Sequence, residues 1–257
     1  MDAKNNLKRH TCIACKSKKT ANKMVQTRSH WTCLVCLSSP ALSPGEPAAH
    51  APRVLNLYAG MGGNRKYWHG CRVTAVENHP KIAAAYKEMY PADHVIIGDA
   101  HQYLLENLDK FDIVWASPPC QSHSRLNYTY EKKRYPDLKL WQEIILLQQF
   151  GRKIKWVIEN VNPYYEPFIQ PTKRLGRHLF WSNCEIGNHV APHLPAMFNK
   201  QGKADKERIM EWLGIYYEKN IYLGAKDYTQ VFRNCVHPDL GRDIFQDLLK
   251  SSVPGQG

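Results

Sequence analysis

The chain has 257 residues, with 35 Lys and Arg against 23 Asp and Glu, a formal charge of +12. Hydrophobic residues make up 43%, enough for a core, so wholesale disorder is excluded, and no apolar run approaches the roughly 18 residues of a membrane span. The first residues lack the apolar segment of a secretory signal, so a soluble, intracellular protein is expected. The basic surplus suits a polyanionic partner, since Lys and Arg beside phosphates release condensed counterions; charge alone leaves membrane-surface and nucleotide-binding proteins open as well.

Residues 1–36 read as a small basic module. Cys12-x-x-Cys15 and Cys33-x-x-Cys36, with seventeen residues between the pairs, have the spacing of a four-thiolate zinc site. So short a segment has no core of its own, so metal binding and folding would coincide. The segment between the pairs carries Lys16, Lys18, Lys19, Lys23 and Arg28 with Trp31, which favours contact with nucleic acid; a folding staple or protein-docking ribbon is the alternative. Residues 37–52, with Pro40, Pro44, Pro47 and Pro52 among small residues, read as an extended linker.

From Arg53 apolar strands alternate with helical segments. VLNLY (54–58), RVTAVE (72–77), HVIIGD (94–99), FDIVWAS (111–117) and KWVIEN (155–160) read as buried strands. Pro80 opens a helix, residues 137–150 have helical spacing, and HLFWS (178–182) is a candidate further strand. Further helices are expected at 204–214, stopped by Gly214, and at 239–249, followed by a frayed tail at 251–257. The pattern predicts an α/β fold, a doubly wound and mostly parallel sheet covered on both faces.

In such a sheet ligands lie beyond the carboxyl ends of the strands. The residues there are a glycine-rich turn (Ala59-Gly60-Met61-Gly62-Gly63), Glu77, Gly98-Asp99-Ala100, Ser117-Pro118-Pro119-Cys120 and Glu159-Asn160-Val161. The turn lets backbone amides approach a ligand, Glu77 can accept both hydroxyls of a ribose, and Asp99 can accept from an adenine amino group. Two prolines stiffen the backbone that presents Cys120. If strands four and five are neighbours, about 4.8 Å apart, a thiol nucleophile and the carboxyl of Glu159 share one pocket.

The Tyr58–Gly63 turn, Glu77, Gly98-Asp99, Pro118-Pro119-Cys120-Gln121 and Glu159-Asn160-Val161 stand in the order of the DNA cytosine-5 methyltransferase family, and the chain resembles its compact, phage-type members over residues 54–248. Gly176-Arg177-His178-Leu179-Phe180-Trp181 and Arg233-Asn234-Cys235-Val236 resemble later motifs. The resemblance implies a Rossmann-like methyltransferase domain over 53–250, with a short target-recognition region at 184–228. It implies S-adenosylmethionine as cofactor, held by Tyr58, Gly60, Gly62, Glu77, Asp99, Ala100, Pro118 and Asn234. Cys120 would add to C6 of a flipped-out cytosine, Glu159 would share a proton with N3, and Arg177 would hold O2. Double-stranded DNA would be the partner of a monomeric, cytoplasmic protein in a bacterial or phage-infected cell.

The polar stretch 121–136 suits a mobile loop closing over the base, with Gln121, Ser124 and Arg125 as its DNA contacts. Departures from the family pattern are His123 where Phe is common, Leu175 two residues before Arg177, and Arg233 in place of glycine. Two competing readings are RNA as the polymer, and a zinc-ribbon nucleic-acid-binding protein with an inactive methyltransferase domain.

Overall fold

The computed structural model describes residues 50–129, 131–132, 134–193, 203–223 and 227–252, together with four short strands before residue 34. Contacts divide the chain into two compact units, residues 1–47 with 197–233, and residues 48–196 with 234–257.

In the first unit β1 (Arg9–Thr11) pairs antiparallel with β2 (Lys18–Thr20), and β3 (Met24–Thr27) with β4 (His30–Cys33). Cys12, Cys15 and Cys36 lie outside the described residues, and of Cys33 only the backbone is described, in register with Met24.

The second unit holds a seven-stranded sheet. Its strands are β5 (Arg53–Leu57), β6 (Arg72–Glu77), β7 (His94–Ile97), β8 (Ile113–Ala116), β9 (Lys155–Val161), β10 (Lys173–Leu175) and β11 (His178–Ser182), in the spatial order β10-β11-β9-β8-β5-β6-β7. The five from β7 to β9 are parallel neighbours; β11 runs antiparallel to β9, and β10 antiparallel to β11. The strand order reverses between β5 and β8, so the crevice between the loops following them is where a ligand belongs.

The helices here are α1 (Pro80–Met89), α2 (Ala100–Asn107) and α3 (Lys139–Phe150). Alternation along the strands sorts the core into two layers. Leu55, Leu57, Val76, Val114, Ala116 and Ile158 face α2 and α3, where Leu104, Leu140, Trp141, Ile144 and Leu147 meet them. Val54, Val73, Ile113, Trp115, Val157 and Phe180 face the other way, toward a C-terminal helix.

The first unit also has α4 (Lys203–Leu213), ended by Gly214 at a φ of 60°, and the short α5 (Gln230–Arg233). Arg233, an anomaly in the sequence motif, pairs with the Asp227 carboxylate and donates to Thr229 Oγ1 at 2.7 Å. The C-terminal helix α6 (Pro238–Lys250) closes the second layer with Leu240, Ile244, Phe245 and Leu248, each worth about 1.5–3 kcal/mol when fully buried. Phe245 stacks on Trp68 with ring centroids 4.6 Å apart.

The apolar runs predict the strands within a residue or two, but HVIIGD ends as a strand at Ile97, because Asp99 is already the N-cap of α2. HLFWS is a strand in the sheet, inserted between β10 and β9. β10 has no sequence signal; three residues with two bases look like loop until β11 is there to pair with them.

Candidate active site

The glycine turn after β5 is left-handed at three places: Tyr58 (φ 55°), Gly60 (54°) and Gly62 (67°). For a tyrosine this conformation costs about 1–3 kcal/mol. Its phenol is anchored by a hydrogen bond to the carboxylate of Glu143 on α3, 85 residues away. Gly62 is small because a Cβ there would sit 2.4 Å from the Tyr90 ring and 2.8 Å from that of Tyr86. Gly60 faces open space instead, its nearest non-neighbour being Tyr58 O at 3.9 Å, and this leaves room for a ligand against the turn.

Glu77, at the end of β6, is buried and aims at the turn. Its Oε2 accepts from Gly60 N at 3.0 Å and its Oε1 from His79 N at 2.9 Å. Each oxygen keeps a lone pair, so a diol can be received on a carboxylate already fixed in place. Asp99 is exposed; its Oδ1 caps α2 through Gln102 N at 3.0 Å and its Oδ2 meets Lys139 Nζ at 3.1 Å. The backbone bond from Gln102 is the largest influence lowering its pKa, so it stays ionised. Ala100 begins α2 as a buried residue. Cys235 packs against Gly63, where a Cβ would lie 2.7 Å from its own, and this leaves the exposed Asn234 beside the turn.

Glu143 and His101 are site-edge residues that sequence inspection misses. Glu143 is fully buried, and its Oε1 takes bonds from both Tyr58 and His101 Nδ1, the latter at 3.0 Å. Burial pushes its pKa up, and its Oε2 has no hydrogen-bond partner. The only sequence cue is a lone acid on the apolar face of a predicted helix.

Across the crevice, β8 and β9 are parallel neighbours with Ala116 level with Ile158. This brings the loop bearing Cys120 to the end of the strand carrying Glu159. Asn160 Nδ2 donates to Pro118 O at 2.9 Å and ties the two together. Pro118 is buried and Pro119 exposed; the chain turns directly after Cys120, whose carbonyl accepts from His123 N at 3.0 Å and Ser124 N at 2.9 Å. The Cys120 thiol is pushed up to about 11, by burial first and the Glu159 charge second, with Arg177 opposing. Three residues from three different elements therefore share one electrostatic environment.

Glu159 is buried, and its Oε1 lies 2.6 Å from Nδ1 of His178, also buried, on β11. Arg177 Nε donates to the other ring nitrogen at 3.1 Å. β11 supplies this because its antiparallel register sets Phe180 opposite Glu159 and His178 opposite Val161.

The described residues after Cys120 make several side-chain bonds. Buried Asn127 bonds Arg134 in both directions, Nδ2 to the carbonyl at 2.8 Å and Oδ1 from the amide at 2.9 Å. Tyr164 Oη also donates to Arg134 O, Tyr128 Oη donates to Tyr164 O, and Ser124 bridges to Pro163. Gln121 and Ser124 are half-buried and Arg125 is exposed at the base of this tongue. His123 is buried, its Nδ1 2.6 Å from Tyr165 Oη, so its ring occupies a core position that suits an aromatic side chain.

No helix among the described residues is long and apolar enough to cross a membrane. Among those residues no group of three or more His, Cys, Asp or Glu could hold a metal.

A curated relative, the malonyl-[acyl-carrier protein] O-methyltransferase of Enterobacter lignolyticus, is 34% identical over 82 residues, 31% of this chain. The match spans about a third (32%) of that relative's length. Among solved structures, a triple mutant of DNMT2 from Spodoptera frugiperda aligns with 43% of this chain and 35% of its own at 24% identity and a TM-score of 0.33. A SAM-dependent methyltransferase from Agrobacterium tumefaciens aligns with 46% of this chain and 41% of its own at 18% identity and a TM-score of 0.34. Arg177, His178 and Asn234 lie beyond the stretch that a family model matches. Residues 52–164, which hold the glycine turn, Glu77, Asp99, Cys120 and Glu159, match the model of the C-5 cytosine-specific DNA methylases.

Proposed function

We propose that the protein transfers a methyl group from S-adenosylmethionine to C5 of cytosine in double-stranded DNA. The observation that carries the reading is the common environment of Cys120 and Glu159, at the ends of the adjacent parallel strands β8 and β9, and Arg177, from the turn before the antiparallel β11. The residues beside the turn suit the cofactor. Gly60 offers open space, Glu77 a fixed acceptor for a ribose, Asp99 an ionised acceptor for an amino group, and Asn234 and Pro118 the flanks. When bound, S-adenosylmethionine supplies an electrophilic methyl on a sulfonium.

Cytosine C5 is too weak a nucleophile to accept that methyl unaided. Addition of the Cys120 thiolate to C6 moves the C5–C6 electron pair onto C5, while Glu159 shares a proton with N3 and Arg177 steadies the charge at O2. Once C5 carries the methyl, loss of its proton to solvent returns the C–H electron pair to the ring, restores the C5–C6 double bond and expels the Cys120 thiolate. The base must first leave the duplex stack, at about a few kcal/mol. Four thiolates, from Cys12, Cys15, Cys33 and Cys36, would hold a structural zinc ion in the basic N-terminal module.

A duplex containing 5-fluorocytosine tests the mechanism, because fluorine cannot depart as a proton does. Incubation with S-adenosylmethionine should give a denaturation-resistant adduct at Cys120, absent in Cys120→Ser. Folded, cofactor-binding protein that forms no adduct would defeat the reading.

A further inference from the structure

His178 belongs to no role that the proposed chemistry assigns, yet it is the side chain in direct contact with the Glu159 carboxylate, at 2.6 Å. Its position dictates its tautomer. An arginine can only donate, so Nε2, 3.1 Å from Arg177 Nε, must be the accepting nitrogen. The proton of the neutral ring is therefore on Nδ1, and it points at Glu159 Oε1. The chain of donation runs Arg177 to His178 to Glu159, every member a half-buried or buried side chain.

We propose that His178 is a positioning residue, locked by Arg177 in the Nδ1–H form, that commits Oε1 of Glu159 and turns Oε2 toward the pyrimidine. The inference rests on the function proposed above and deepens it. With Oε1 taken by the ring N–H, Glu159 meets the base with one oxygen in use and the other, which shares the proton with N3, fixed in direction. It also couples the two groups that hold the base: movement of Arg177 toward O2 releases Nε2 of the same ring that orients Glu159. The ring is held on its other sides by the sheet, with Phe180 two residues along β11 and its ring centroid 6.3 Å away. Among the described residues, the charged and titratable groups at this chain include Glu159 from β9, Arg177 from the turn before β11, and Cys120 from the loop after β8.

Two measurements on the full-length protein test it. Nitrogen-15 NMR of histidine-labelled wild-type protein, with the His178 signal assigned by its loss in His178→Asn, should show the Nδ1–H tautomer, the minor form of free histidine. An Nε2–H ring would overturn the proposal, and this readout needs no active enzyme. Methyl incorporation from radiolabelled S-adenosylmethionine into unmethylated genomic DNA then separates the variants. His178→Leu should lower kcat about tenfold or more, with both KM values within about twofold of wild type. His178→Asn, whose amide nitrogen stands where Nδ1 was, should recover most of that loss. Wild-type kcat in the leucine variant, or an asparagine variant no better than leucine, would refute the role. Wild-type protein that leaves DNA cytosine unmodified would sink the functional reading instead, while the tautomer still judges the hydrogen-bond chain.

Discussion

Replacing Glu159 with glutamine should make Cys120 more reactive while making the enzyme worse. The thiol stands at about 11 against an ordinary 9.0, raised by burial first and by the Glu159 charge second, with Arg177 pulling the other way. At that value about one thiol in ten thousand is ionised at pH 7, and the fraction grows about tenfold per pH unit. Glutamine keeps the shape and the acceptor for His178 Nδ1–H but removes the negative charge, so the thiol pKa must fall. Glu159 ranks below burial among the causes, so the fall should be about half to one pH unit, a gain of about three- to tenfold in thiolate near neutrality. The assay is the rate of iodoacetamide alkylation from pH 7 to 10, quantified on the Cys120 peptide by mass spectrometry. The wild-type rate should climb without a plateau below about pH 10, Glu159→Gln should be faster throughout, and Arg177→Leu slower. Methyl transfer by Glu159→Gln should nevertheless drop by about 10²–10⁴-fold, because the proton shared with N3 is gone. Alkylation in the glutamine variant that is unchanged or slower would refute the electrostatic coupling on which the site rests.

Glu77→Ala removes the acceptor for Gly60 N and for the ribose at once, so the dissociation constant for S-adenosylmethionine, measured by calorimetry, should rise about tenfold or more; unchanged affinity would place the cofactor elsewhere. Asn127→Ala strips both bonds to Arg134 from a buried position and should cost about 1–3 kcal/mol, seen as a lower melting temperature and faster exchange of the Arg134 amide. Exchange as slow as in wild type would mean that the bonds of Tyr128 and Tyr164 and the Ser124 bridge suffice to hold the tongue. Native protein should carry one zinc ion per chain by atomic emission, released by thiol-modifying reagents together with the fold of residues 1–36; a metal content near zero would remove the zinc module.

The residues proposed as nucleophile, acid partner and cofactor turn stand out in the sequence because each sits where an apolar run stops. A parallel strand buried on both faces must be apolar, and the residue after it must face the crevice; that is why Gly60, Glu77, Cys120 and Glu159 could be read in order. What a linear pattern does not contain is which strands become neighbours, in which direction and in which register. His178 looks like one polar residue in an edge strand until β11 slots in antiparallel beside β9 and lays it against Glu159. Glu143 is an acid on the apolar face of its helix with no visible partner until α3 packs on the sheet and delivers it to Tyr58. Asn127 looks like loop polarity until Arg134 folds back onto it. The order of chemical groups along the chain is a local property, governed by burial of individual strands. The contacts that orient those groups join residues far apart in sequence, and only the packing of the whole sheet and its helices decides them.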